Sequence, residues 1–198
     1  MTRKFLRLPY AVFLLAPVWA ATNDPAALQV QSLNTSLLQS MHAGAALPMS
    51  ERYRQLEPAI EKAFALPLVT RLSVGPDWIK LTPDQQQALI AAFTRYTIAN
   101  YAHNFRDFDG QKFAVDDNVS SRGADKIVRT QIIPRRDTPA TLLYRMHEVD
   151  GVWKIIDVDY NGVSELILRR SDWAVALASG GAAGLIAHLN KVSDDLMK

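Results

Sequence analysis

Two aspartates, Asp157 and Asp159, stand two residues apart in a strand-like run, with His147 in the segment before it. Residues two apart share one strand face. A carboxylate set in an apolar pocket has a raised pKa and can act as a general acid or base, so the group suits proton transfer of the isomerase or dehydratase kind. The same residues also suit structural work, Asp157 as an acceptor for backbone amides or Arg145 and Asp159 at a solvent edge. Arg135-Arg136 and Arg169-Arg170 are paired cations. At a cavity mouth such a pair binds phosphate through charge-assisted hydrogen bonds; elsewhere it forms a solvated turn or helix face, or meets an acidic partner. His42, His103, His147 and His188 are scattered, with no pair at metal-ligand spacing. There is no cysteine, which excludes disulfides, thiolate metal sites and cysteine nucleophiles. The nucleophile-elbow, phosphate-loop and dinucleotide glycine patterns are absent. No catalytic or metal-binding residue is therefore assigned, and no cofactor is expected.

The elements that would position these residues divide the chain in two. Leu28 to Ala43 have helical spacing, with Leu28, Leu33, Leu37, Leu38 and Met41 apolar. Ser50 caps a second helix, which Pro58 is expected to kink or divide. Leu68, Val69, Leu72 and Val74 fit a short helix ended by Gly75-Pro76. Thr82-Pro83-Asp84-Gln85 has the spacing of a capping box with proline at the first helical position, and predicts a helix to about Phe108. From Gln111 the period shortens towards two. Strands are expected around Phe113, Val115 and Val119, over Ile127 to Ile133, over Thr141 to Val149, and over Val152 to Tyr160. Asp150-Gly151 predicts a tight hairpin between the last two. Asn161-Gly162 is expected to end the sheet, and two helices, Val163 to Ala178 and Ala182 to Leu196, to follow around Gly180-Gly181. Strict alternation puts Trp153, Ile155, Asp157 and Asp159 on one strand face and Val152, Ile156, Val158 and Tyr160 on the other. Both faces are apolar enough to be covered along much of the strand, which fits two readings: one face packed on helices with the other lining a cavity, or a sheet covered on both sides as in an ordinary α+β core. The long helix carries a broad aromatic face, whose tyrosines would either place a phenol near a polar ligand group or satisfy a backbone carbonyl.

The chain has 198 residues, 48% of them apolar, which fits one globular domain. Arg3, Lys4 and Arg7 precede a short apolar run, Leu8 to Ala20, and Val18-Trp19-Ala20 offers small residues where a signal-peptide cleavage site needs them. An export signal over 1–20, cut between Ala20 and Ala21, and a soluble domain over 21–198 are expected. A run this short falls below the roughly 20 residues that span a bilayer. Residues 1–20 hold three of the 22 basic residues and none of the 20 acidic ones, so their removal leaves a net charge of −1. That balance gives no electrostatic case for nucleic acid.

Several runs, in order, resemble the periplasmic lipid-carrier family that includes MlaC and the toluene-tolerance auxiliary components. These are Phe93, Arg95 and Tyr96, then Tyr101 and Phe105; Leu142-Leu143-Tyr144-Arg145-Met146; Trp153-Lys154-Ile155-Ile156-Asp157-Val158; Gly162-Val163-Ser164; and Gly180, Leu185-Ile186 and Leu189. The resemblance covers residues 50–196. The family commonly has an aromatic-arginine step and a phenylalanine after Gly-Val-Ser, where this chain reads Leu168-Arg169-Arg170-Ser171-Asp172-Trp173; the divergence suggests a sub-branch associated with hopanoid biosynthesis. The resemblance implies an α+β fold whose curved antiparallel sheet of about four strands, like that of nuclear-transport-factor domains, packs with helices around an acyl-chain cavity. It implies a monomeric periplasmic shuttle for phospholipid or hopanoid-type lipid, serving an ABC-type inner-membrane complex and an outer-membrane lipoprotein partner. Phe93, Tyr96, Tyr101, Phe105, Leu142, Tyr144, Trp153 and Ile155 are the expected lipid contacts, and Arg169 and Arg170 the expected headgroup or partner contacts. The rival readings are an enzyme of related fold using Asp157 and an interaction module without a ligand.

Overall fold

A computed structural model describes residues 24–198; the expected export signal and its cleavage site lie outside the described residues. Asp24 caps the first helix, α1 (Pro25–His42), by accepting the Ala26 amide at 2.9 Å. Helix α2 (Met49–Ala63) runs through Pro58 undivided. Pro58 and Arg54 are both exposed, so the Arg54 carbonyl that loses its amide partner faces water. Helix α3 (Leu66–Val74) continues into a 3₁₀ turn over Gly75–Lys80. The capping box then forms as the spacing requires: the Gln85 amide donates to Thr82 Oγ1 at 3.3 Å, and Gln85 Oε1 accepts the Thr82 amide at 2.9 Å. Helix α4 (Pro83–Asn104) stops short of Phe108. Phe105 leaves the helical region there, and its carbonyl accepts from the buried Arg52 guanidinium at 3.4 Å.

The sheet is antiparallel and has six strands: β1 (Lys112–Val115), β2 (Ser120–Arg122), β3 (Asp125–Ile133), β4 (Ala140–Val149), β5 (Val152–Tyr160) and β6 (Val163–Ser164). The four expected strands are β1, β3, β4 and β5. The spatial order is β1-β3-β4-β5-β6, with β2 sharing the β3 edge with β1. Val119 falls outside β1. Asn161-Gly162 does not end the sheet. Its φ angles of 50° and 91° turn the chain back so that Val163 pairs with Tyr160. Helix α5 (Glu165–Leu196) has a break at Gly181, whose φ of 58° and ψ of −161° divide it near the expected point.

The strict alternation expected along β5 fails at one residue. Arg145 pairs with Asp157 and Met146 with Ile155, which leaves Ile156 as an extra residue, a β-bulge. The bulge switches the parity of the strand. Trp153 and Ile155 before it share their face with Val158 and Tyr160 after it, while Asp157 and Asp159 turn to the other side. That shared face also carries Leu142, Tyr144 and Met146 of β4 and Val128 of β3, and the helices cover it. The opposite face holds Arg129, Gln131, Arg145, His147 and Lys154 and is not a second apolar wall. One face therefore does both jobs that the sequence pattern divided between two.

Candidate functional site

Helix α1 lies across β1, β3 and β5 and fills one half of the covered face. Ala26, Ala27, Val30, Leu33 and Leu37 are almost wholly buried there in one core with Val128, Met146 and Ile155. In the other half, α4 and the first part of α5 stand off the sheet. A cavity of about 440 Å³ remains between them, in the size range of about 300–1,000 Å³ typical of small-molecule sites.

The face of α4 towards this cavity follows helical spacing: Phe93, Thr97, Tyr101 and Phe105 in one row, and Tyr96, Asn100 and Asn104 beside it. Phe105 stacks on Tyr101 with centroids 5.5 Å apart. Leu142 and Tyr144 of β4 and Ile156, Val158 and Tyr160 of β5 form the sheet wall. Phe64, on the link from α2 to α3, closes one side and meets Tyr101 edge-on at 5.5 Å. Burial pushes the Tyr144 phenol well above its ordinary pKa, aided by the neighbouring Tyr101. Burial raises Tyr101 too, against a lowering pull from Arg169 and with a further push from Glu165. Both phenols stay neutral hydroxyls.

Of the expected lipid contacts, Phe93, Tyr96, Tyr101, Phe105, Leu142 and Tyr144 line the cavity. Trp153 and Ile155 do not. Ile155 is wholly buried in the core, and Trp153 sits under Lys126 Nζ, 4.6 Å from the ring centroid, in the half that α1 occupies. Their places on the wall are taken by Ile156, Val158 and Tyr160, beyond the bulge. Arg169 lines the cavity, with its guanidinium carbon 5.4 Å above the Phe93 ring and Nη2 3.4 Å from Glu165 Oε2. Arg170 lies outside it and donates from Nη2 and Nε to the Leu72 carbonyl near the end of α3, at 2.7 and 3.1 Å. The pair therefore splits into a cavity residue and a latch between helices.

Asp157 is spent on structure. Its Oδ2 accepts the Ser164 hydroxyl at 2.6 Å and its Oδ1 the Leu166 amide at 3.0 Å, at the N-terminus of α5, where the helix dipole favours a negative charge. Its expected partners are engaged elsewhere: Arg145 and His147 both meet Asp125, each at 2.6 Å. Asp159 Oδ1 accepts the Gly162 amide at 2.6 Å and holds the β5–β6 turn.

The wall is mainly aromatic and aliphatic, with Thr97, Asn100 and Asn104 set among the rings and Glu165, Arg169 and Asp157 gathered on one side, a site suited to an apolar guest with a polar end on an α+β scaffold. The model of the MlaC protein family matches residues 31–191, and the chain belongs to that family. A solved structure of similar fold is that of a phospholipid-binding protein from Ralstonia solanacearum in complex with a phospholipid. It is 20% identical in sequence with a TM-score of 0.77, over 88% of this chain and 100% of that one.

Proposed function

We propose that the protein is a periplasmic carrier that shelters the acyl chains of a phospholipid in the cavity between α4, α5 and the sheet. The observation that carries this reading is the void of about 440 Å³ with a largely aromatic and aliphatic wall. At roughly 25 cal/mol per Å² of apolar surface removed from water, such a wall offsets several kcal/mol of acyl-chain exposure without any reactive side chain. Membership of the MlaC family and the fold shared with the Ralstonia protein support it. We assign Phe93, Tyr101, Phe105, Leu142, Tyr144 and Val158 to the chains, and Arg169 to the polar end.

In this reading an export signal over 1–20 precedes a single carrier domain, which works as a monomer with an ABC-type inner-membrane complex and an outer-membrane lipoprotein. Val163, Ile167 and Leu168 are exposed on β6 and the start of α5, close in sequence to Tyr160, Glu165 and Arg169 of the cavity. They supply an apolar rim for the membrane-bound partners that load and unload the guest. Solvent extraction of protein purified from the cell envelope, followed by mass spectrometry, tests the proposal. A stoichiometric phospholipid is expected. A triterpenoid in its place would move the assignment to the hopanoid branch, and protein that carries no lipid and moves none between vesicles would overturn it.

A further inference from the structure

Among the described residues, two buried polar atoms on the cavity wall have no hydrogen-bond partner: Thr97 Oγ1 and Arg169 Nε. Thr97 is only 3% exposed. A buried helical hydroxyl normally satisfies itself on the carbonyl four residues back. Thr70 does so on Leu66, and Ser193 on Leu189, each at 2.7 Å. Thr97 leaves the equivalent Phe93 carbonyl alone. Its place in the row Phe93, Thr97, Tyr101, Phe105 is the one position without an aromatic ring.

Arg169, on α5, lines the same cavity. Its guanidinium carbon lies 5.4 Å over the ring of Phe93, one helical turn before Thr97. The contact with Glu165 uses Nη2 at 3.4 Å and leaves Nε free. Two buried donors thus belong to one cavity wall, and neither has an acceptor. When a hydrocarbon guest expels water, both are left unsatisfied unless the guest brings an oxygen.

Resting on the carrier reading, we infer that Thr97 Oγ–H and Arg169 Nε–H together hold the ester carbonyl of an acyl lipid, so that the cavity reads the linkage at the head of the chain. A neutral oxygen suits the surroundings better than a phosphate. The Arg169 guanidinium already meets the Glu165 carboxylate, and Asp157 stands in the same lining, so two negative groups oppose a phosphate against one cation. A polycyclic hydrocarbon without an oxygen there leaves both donors unpaired.

The test strips the mature protein of lipid and measures displacement of a fluorescent fatty-acyl probe by four lipids of equal chain length: dioleoylphosphatidylglycerol, its diether counterpart, dioleoylglycerol and its diether counterpart. Each ester is expected to bind about three- to tenfold tighter than its ether, with or without the phosphate, which is the reach of one net hydrogen bond. Thr97→Val keeps the shape and removes the hydroxyl. It should bring the esters down to the affinity of the ethers, whose own affinity stays unchanged. Arg169→Lys, which keeps the charge and loses Nε, should narrow the same gap. Equal binding of ester and ether by the unaltered protein, or a preference that survives in Thr97→Val, overturns the inference while the carrier reading stands. A preference for both phosphatidylglycerols over both glycerols, whatever the linkage, also overturns it, in favour of phosphate recognition. A protein that binds neither the probe nor any of the four lipids sinks the carrier reading as well.

Discussion

Asp157 shows how one residue type supports two opposite readings. A carboxylate two residues from a second one, in an apolar strand, has the look of a general base until its acceptors are counted. Both oxygens are engaged, by Ser164 and the Leu166 amide. Asp157→Asn keeps the shape and loses the charge at the start of α5. It should cost about 1 kcal/mol, the scale of a helix cap. In a chain of this size that lowers Tm by about 2–4 °C, and bound lipid should be unchanged in a thermal melt and lipid assay run on the same sample. Asp125, like Asp24 and Asp195, has a lowered carboxyl pKa and so contributes to the acid sensitivity. Burial alone would raise its carboxyl, but the hydrogen bonds from His147 and Arg145 outweigh burial and hold it below the usual carboxylate range. A folded pKa below the unfolded value of about 3.9 contributes stability above that pH and loses it as the pH falls through the folded value. Asp125→Asn should therefore be less stable than the unaltered protein at pH 7, and the gap should begin to narrow as the pH falls below about 4. Urea midpoints at pH 3 and pH 7 measure it; a gap as wide at pH 3 as at pH 7 would contradict the ion-pair account.

Elements that announce themselves through local chemistry were readable along the chain, and those set by long-range pairing were not. The Thr82–Gln85 box, the Asp150-Gly151 turn and the bounds of β5 are local, and the structure has them where the spacing puts them. The bulge at Ile156 depends on how β5 registers against β4. Nothing within Ile155-Ile156-Asp157 signals it, so strict alternation set Trp153 and Ile155 on the opposite face from Val158 and Tyr160, with which they share one covered face. Thr97 escaped for another reason: in sequence it is one polar residue in an apolar row, and only the lack of a partner marks it. Gly180-Gly181 was legible as a break, though the two glycines differ. Gly181 has φ 58° and ψ −161°, a region open only to glycine, whereas Gly180 is helical and a Cβ there would meet nothing within 4 Å. Gly181→Ala should cost about 1–3 kcal/mol. Gly180→Ala should stabilise by about 0.5–1 kcal/mol. Opposite signs in paired melting curves are the expected result; a gain at both positions would show that α5 is free to straighten.

At the scale of the whole molecule, the space proposed for the guest is what remains after α1 has filled half of the covered face. The division is sharp enough to test with one side chain placed on either side of it. Val158 lines the void, while Ile155, on the same face of the same strand, is wholly buried in the packed half. A tryptophan at Val158 has open volume to enter, so Val158→Trp should leave Tm within a few degrees of the unaltered protein and cut co-purified lipid several-fold. The same ring at Ile155 must displace close-packed neighbours, and overpacking of that kind costs about 1–3 kcal/mol or more. Ile155→Trp should melt several degrees lower and, where it folds, keep its lipid. The two variants change the same face with the same ring, so the contrast isolates position alone. If Val158→Trp destabilised the fold as much as Ile155→Trp and left the lipid in place, the space beside α4 would be ordinary core slack, and the guest would have to lie elsewhere.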